Sequence, residues 1–360
     1  MDLTPLKTRF NDAGIVFKEN LPLAPLTSFK IGGPADLYAE ISDTQQLKTA
    51  FTAARELQVP FTVLGWGSNV LISDKGIRGI VLRLKTNSIK ILNNSGETQV
   101  SQGETEKETV EARLIQAEPD KYYSFNDLNY EESDKPRIQV EIDAGVALQY
   151  AINFLIEQGI TGLQWFSGIP GTIGGAIYNN IHGGLHFIFE FLDSIEILTP
   201  EGELTWIPAQ SIKHAYDYSG FQDNKNIIIK GKFNLFLGDR QKAKATSIAW
   251  AIRKKLQPRN SAGCAFQNIT PEQSRELNFK SNGYGYIIDK ILKLKGTQIG
   301  GARISEKHAA FIENTGNATA ADVLALIRLV NEKSLEKIRI KPKLEIFLLG
   351  FSPEEIKDLT

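Results

Sequence analysis

The 360 residues include one cysteine, Cys264, and one methionine. A single thiol excludes an internal disulfide, so the fold must hold by packing alone, and it suits a reducing compartment such as the cytoplasm. No run of about 18 apolar residues occurs, which excludes a membrane-spanning helix. The N-terminal stretch MDLTPLKTRFNDAGIVFKEN has no basic segment followed by an apolar one, so no signal peptide is expected. An excess of one charge sign is also missing. The net charge is −1, and the basic residues are dispersed without interleaved aromatics, so neither nucleic acid nor a membrane surface is expected as a partner. The four histidines, His182, His186, His214 and His308, form no compact ligand set with cysteine. His182 and His186 have helical spacing, but Gly183 and Gly184 between them argue against a helix, and no metal is expected. Internal repeats are absent, and no protein partner is legible.

What remains is an ordinary globular composition, 42% hydrophobic and 23% charged, over a length that suggests two to three domains at about 150 residues each. Residues 43–58 place Leu47, Ala50, Phe51, Ala54 and Leu57 on one helical face, with Asp43 as N-cap. FTVLG, VLIS and GIVLRL read as strands with glycine at the crossings, which points to a mixed α/β unit. Residues 93–137 change character: eleven Asp/Glu face five Lys/Arg among many small polar residues, so this stretch reads as a solvated insertion that YYSF (122–125) could dock onto the body. Beyond it, RIQVEIDAGV is a strand and ALQYAINFLIEQGI an amphipathic helix. Next come a hairpin around Pro200-Glu201-Gly202, the buried strand NIIIKGKFNLFL, a helix with a basic end over DRQKAKATSIAWAIRKKL, a last long helix over 319–337 capped by Thr319, and a closing strand KLEIFLLG. The cleanest boundary falls at 237–239, giving domains 1–237 and 238–360.

Two glycine loops stand out, GWGSN (65–69) and GIPGTIGGA (168–176). Closely spaced glycines let backbone N–H groups approach an anion, with Ser68, Asn69 and Thr172 as neutral donors, and a diphosphate is the natural guest. Neither loop is the dinucleotide G-x-G-x-x-G or a lysine-bearing phosphate loop. Cys264 lies in NSAGCAFQN, among loop residues rather than in an apolar run. From residue type alone it either packs as a small hydrophobe or reacts.

The colinear segments TSFKIGGPADLYAE, VLGWGSNVLISDKGIRGIVL, FSGIPGTIGGAIYNN, SAGCAFQN, LKGTQIGGARISEKHAAFIENTGNATAADVLALI and LEIFLLG resemble the UDP-N-acetylenolpyruvoylglucosamine reductases, from about residue 20 to 350. The resemblance implies an α+β fold: a two-part FAD-binding unit of the vanillyl-alcohol-oxidase (PCMH) type, followed by a C-terminal substrate domain. It implies that Gly65, Gly67, Ser68 and Asn69, with Gly168, Ile169, Pro170, Gly171, Thr172 and Gly174, wrap FAD. It further implies that NADPH reduces the flavin, which passes hydride from N5 to C3 of the enolpyruvyl ether of a UDP-sugar, in peptidoglycan precursor synthesis.

Three positions carry the implied chemistry. Cys264 stands where the family carries its proton donor, usually serine. Glu345 matches the active-site glutamate near the closing strand. Asp217 in YDYSGF (216–221) stands where the family carries an arginine that stabilises the enolate, and a carboxylate there has the opposite charge. Lys213, His214 or Arg303 are the expected substitutes. Asn268 and Tyr216 match substrate contacts, and Tyr178, Asn180 and Lys295 are weaker candidates. Because of Asp217, two further readings stay open: a flavin oxidoreductase of the same fold with another substrate, and a flavin-binding homologue without activity.

Overall fold

The computed structural model describes residues 1–93, 96–101 and 130–359. The first unit is a four-stranded sheet in the order Phe17–Pro22, Pro34–Ile41, Ile77–Leu84, Phe61–Val63. The first pair is antiparallel and the others parallel. Helix Thr44–Glu56 covers one face. Asp43 caps it by accepting from the Gln46 amide at 2.8 Å, and Leu47, Ala50, Phe51 and Ala54 are buried against the sheet, as the spacing predicts. Burial of a side chain such as Phe51 contributes about 1.5–3 kcal/mol, so this one face anchors the helix.

The second unit is a seven-stranded sheet. Its path runs Leu204–Pro208, Leu192–Leu198, Ile227–Leu237, Arg137–Asp143, Ser88–Asn93, Gly96–Ser101, with Ile160–Thr161 also on Ile227–Leu237. The pairings within it are antiparallel. Helix Leu148–Glu157 buries Leu148, Ala151, Ile152, Leu155 and Ile156 on this sheet. The expectation of a wholly solvated insertion over 93–137 needs correction at both ends. Gly96–Ser101 adds a strand to the sheet, and Glu132 is buried, accepting from Thr161 Oγ1 at 2.7 Å and Gln164 Nε2 at 3.0 Å. Acidic composition did not forbid burial because two neutral donors satisfy the carboxylate. The stretch 122–125 lies outside the described residues.

The third cluster gathers helix Ala320–Ile338, capped by Thr319, with the short strands Gln298–Ile299, Ala302–Ile304 and Ile312–Asn314. Phe29, Ile31 and Leu71 from the first unit are part of this core. Conversely, Ala243 of helix Arg240–Lys255 packs into the core of the seven-stranded sheet. The closing strand is shorter than KLEIFLLG. Only Phe347–Leu349 is strand, paired in parallel with Val70–Ile72, and Glu345 precedes it. The chain's end is thereby brought back beside the first glycine loop. Among the described residues, no helix is long and apolar enough to cross a membrane.

Candidate active site

The three units meet around one cavity of about 1720 Å³. Pockets for drug-sized ligands run to roughly 300–1,000 Å³, so this one has room for more than a single small molecule. All ten residues expected from the two glycine loops line it, as do Cys264, Glu345, Asp217, Asn268 and Tyr216.

The loops are held against each other. Ser68 Oγ donates to the Pro170 carbonyl at 2.8 Å. Thr172 caps helix Ile173–Asn179 by accepting from the Gly175 amide at 3.2 Å. Glycine is required sterically at two places. Gly67 has φ +62°, and a Cβ there would lie 2.7 Å from the Leu26 carbonyl oxygen. Gly168 has φ +81°, and a Cβ there would lie 2.8 Å from Lys254 Cβ. The amides of Gly65, Trp66, Gly67, Ser68 and Gly171 donate to no protein acceptor among the described residues. Orphan amides clustered on a cavity wall form a nest for an anion, so the chain fits a diphosphate-bearing cofactor.

The wall that carries Cys264 and Glu345 is built from three distant segments. Cys264 bridges Phe311, while the Ala265 amide donates to Ala310 O at 2.8 Å. The Glu345 amide donates to Ala265 O at 3.0 Å, so Glu345 and Cys264 lie on adjoining strand-like stretches. Asn69 closes the arrangement: its Nδ2 donates to Glu345 O at 3.2 Å, and its own carbonyl accepts from Phe347 N at 3.0 Å. Asn268 Nδ2 donates to the Tyr216 hydroxyl at 3.2 Å, tying the cysteine loop to the loop that carries Asp217.

Burial, and then the Glu345 carboxylate, push the Cys264 thiol up to about 12, so it is protonated at neutral pH. Burial, and then Asp217, raise Glu345 well above the usual carboxylate range. Asp217 has φ +51°, its Oδ1 lies 3.2 Å from His182 Nδ1, and its Oδ2 is buried without a partner among the described residues. The contact with His182 gives one oxygen of this carboxyl group a partner.

The expected substitutes for the arginine do not reach this cavity. Arg303 pairs with Glu313 at 3.3 Å, His214 Nδ1 lies 3.0 Å from the Ile212 carbonyl oxygen, and Lys213 lies outside the lining. Instead the structure brings in Lys254, which sequence reasoning missed. Burial pulls its pKa down, while Cys264, Glu345 and Asp217 act in the opposite direction. A signal was available: Ala243, Ser247 and Trp250 are buried on helix Arg240–Lys255, and Lys254 continues that same face. Of the weaker candidates, Tyr178 and Lys295 line the cavity. Asn180 turns away, donating from Nδ2 to Ala215 O at 2.7 Å.

Similarity to known proteins covers most of the chain. Residues 255–349 match the family described as UDP-N-acetylenolpyruvoylglucosamine reductase, C-terminal domain, and residues 124–208 match the family described as FAD binding domain. A UDP-N-acetylenolpyruvoylglucosamine reductase of Bacillus pumilus is 33% identical over 336 residues, 92% of this chain and 93% of that protein. One of Halalkalibacterium halodurans is 31% identical over 92% of this chain and 93% of its own length. The crystal structure of UDP-N-acetylenolpyruvylglucosamine reductase from Thermus caldophilus superposes with a TM-score of 0.66 at 24% identity, covering 93% of this chain and 99% of that one. The α+β fold expected from the sequence is the fold found. From the length and identity of these matches, the chain belongs to the UDP-N-acetylenolpyruvoylglucosamine reductase family of oxidoreductases.

Proposed function

We propose that the protein uses NADPH and FAD to reduce the enolpyruvyl ether of UDP-N-acetylglucosamine to the lactyl ether of UDP-N-acetylmuramate, a peptidoglycan precursor. The observation that carries this reading is the junction of Cys264 and Glu345 with the two glycine loops around one cavity. These residues would hold FAD, which when bound would supply the hydride that NADPH provides. The chain does the rest. The orphan amides of Gly65, Trp66, Gly67, Ser68 and Gly171 hold the cofactor diphosphate. Ile169, Pro170, Thr172 and Gly174 shape the second loop around it. Asn268 and Tyr216 orient the nucleotide sugar.

As hydride adds to C3 of the substrate, the C2–C3 π pair moves onto C2 and into the adjoining carboxylate. Cys264 gives its proton to C2, forming the C–H bond, and the thiolate takes a proton back from water. A thiol kept protonated by burial is in the form a donor needs. Glu345 is the second proton-bearing group beside it. The substrate-binding part is assigned to 238–360, with the last strand bringing Glu345 to the site.

The test is anaerobic. NADPH should bleach the visible flavin spectrum, and the enolpyruvyl sugar should restore it in one stoichiometric step. Asp217 favours one other reading, an oxidoreductase whose substrate lacks the enolate carboxylate. Bleaching by NADPH without recovery on adding the sugar selects that reading.

A further inference from the structure

Lys254 sits in the last turn of helix Arg240–Lys255, on the face that Ala243, Ser247 and Trp250 bury. Its stem passes directly against the second glycine loop, so closely that only glycine fits at 168. Its head lines the cavity with Cys264, Glu345 and Asp217. Among the described residues, its ammonium has no hydrogen bond and no ion-pair partner within 4.0 Å. Yet among the described residues it is the only cation near enough to Cys264 or Glu345 to lower either group's pKa. A half-buried ammonium without a partner is costly, and the cost is relieved when an anion enters the cavity.

We propose that Lys254 is the cation that receives the substrate's carboxylate and the negative charge spreading into it from C2. The inference rests on the functional reading above. The reaction puts an electron pair on C2 before the Cys264 proton arrives, inside a wall that already carries Asp217. A fixed positive charge is therefore needed at that end, and Asp217 cannot provide it. Lys254 reaches the spot from a different element than the loop carrying Asp217. The charge is thus retained while its position in the sequence has moved. The Asp217–His182 pair, at 3.2 Å, leaves the ammonium free for substrate rather than locked to a protein carboxylate.

The experiment compares wild-type holoenzyme with Lys254→Met and Lys254→Arg. Calorimetry measures binding of UDP-N-acetylmuramate, which bears the carboxylate, and of UDP-N-acetylglucosamine, which lacks it. Lys254→Met is expected to weaken the first by about tenfold or more and the second by less than twofold. In stopped flow, its flavin reoxidation by the enolpyruvyl sugar should fall about 100-fold, with reduction by NADPH within threefold of wild type. Lys254→Arg should recover most of both losses. Equal weakening for the two nucleotides, no weakening, or an arginine variant as impaired as the methionine one overturns the proposal. So does loss of flavin from both variants, which would place the lysine in cofactor retention. A wild-type protein that binds neither nucleotide overturns the functional reading and this role with it.

Discussion

His182 Nδ1 lies 3.2 Å from Asp217 Oδ1, and the same carboxylate raises the pKa of Glu345 across the cavity. Asp217 therefore acts in two directions: His182 contacts one of its oxygens, and it adds to the burial that raises the neighbouring Glu345 carboxyl. Glu345 and Asp217 share this part of the cavity with the Lys254 ammonium, and burial is the main reason Glu345 holds its proton.

This arrangement has a cost in stability that can be read from pH. Glu345 is raised in the folded state, so between the usual carboxylate range and that raised value the folded protein holds a proton the unfolded chain has lost. Stability then falls as pH rises through this window. Glu345→Gln removes the slope. Its melting temperature, relative to wild type, should be higher at pH 8 than at pH 5 by about 2 °C. Differential scanning calorimetry at the two pH values is the check, and an equal or reversed difference would show that Glu345 is ionised in the folded protein.

Cys264 can be followed without interference, because it is the single thiol. With its pKa pushed up to about 12, its thiolate fraction at pH 8 is lower than that of an ordinary thiol by about three orders of magnitude. Iodoacetamide should label the native protein at least 100-fold more slowly than the chain unfolded in guanidinium, and the native rate should still be climbing at pH 10. A rate that levels off near pH 8.5, within tenfold of the unfolded chain, would refute the assignment.

Gly168→Ala tests the coupling of the second loop to the helix. The added methyl meets Lys254 Cβ at 2.8 Å and Ala251 Cα at 2.9 Å, on a backbone with φ +81°. The loop must shift, and with it the Gly171 amide. The variant is expected to retain flavin at least tenfold less tightly and to melt a few degrees lower, since strain of this kind costs on the order of 1–3 kcal/mol. Fluorescence of released flavin gives the affinity. Unchanged retention would mean that the loop does not hold the cofactor.

Much was legible locally. The helices at Thr44–Glu56, Leu148–Glu157, Arg240–Lys255 and Ala320–Ile338 follow from apolar spacing and from caps such as Asp43 and Thr319, because helix formation and its termini are short-range. The two glycine loops were also visible, since a backbone that turns with positive φ must be written as glycine or a near equivalent. Glu132 and the strand Gly96–Ser101 were not visible, because an acidic composition does not reveal that a buried carboxylate will find Thr161 and Gln164 about thirty residues later.

The site divides the same way. The sequence by itself determined which residue types were present for the chemistry, Cys264, Glu345 and the glycines, and that Asp217 carried the wrong charge for an enolate. Only the tertiary structure placed the lysine Lys254 beside them. Lys254 lies between two other basic residues, Arg253 and Lys255, and only its helical spacing from Ala243, Ser247 and Trp250 sets it apart from a solvated helix end. Its place in the cavity depends on the helix packing its Ala243 face into the seven-stranded sheet and on Gly168 letting the stem pass. The contact between Gly168 and Lys254 joins residues 86 positions apart (254 − 168), and electrostatic fields act through space, not along the chain.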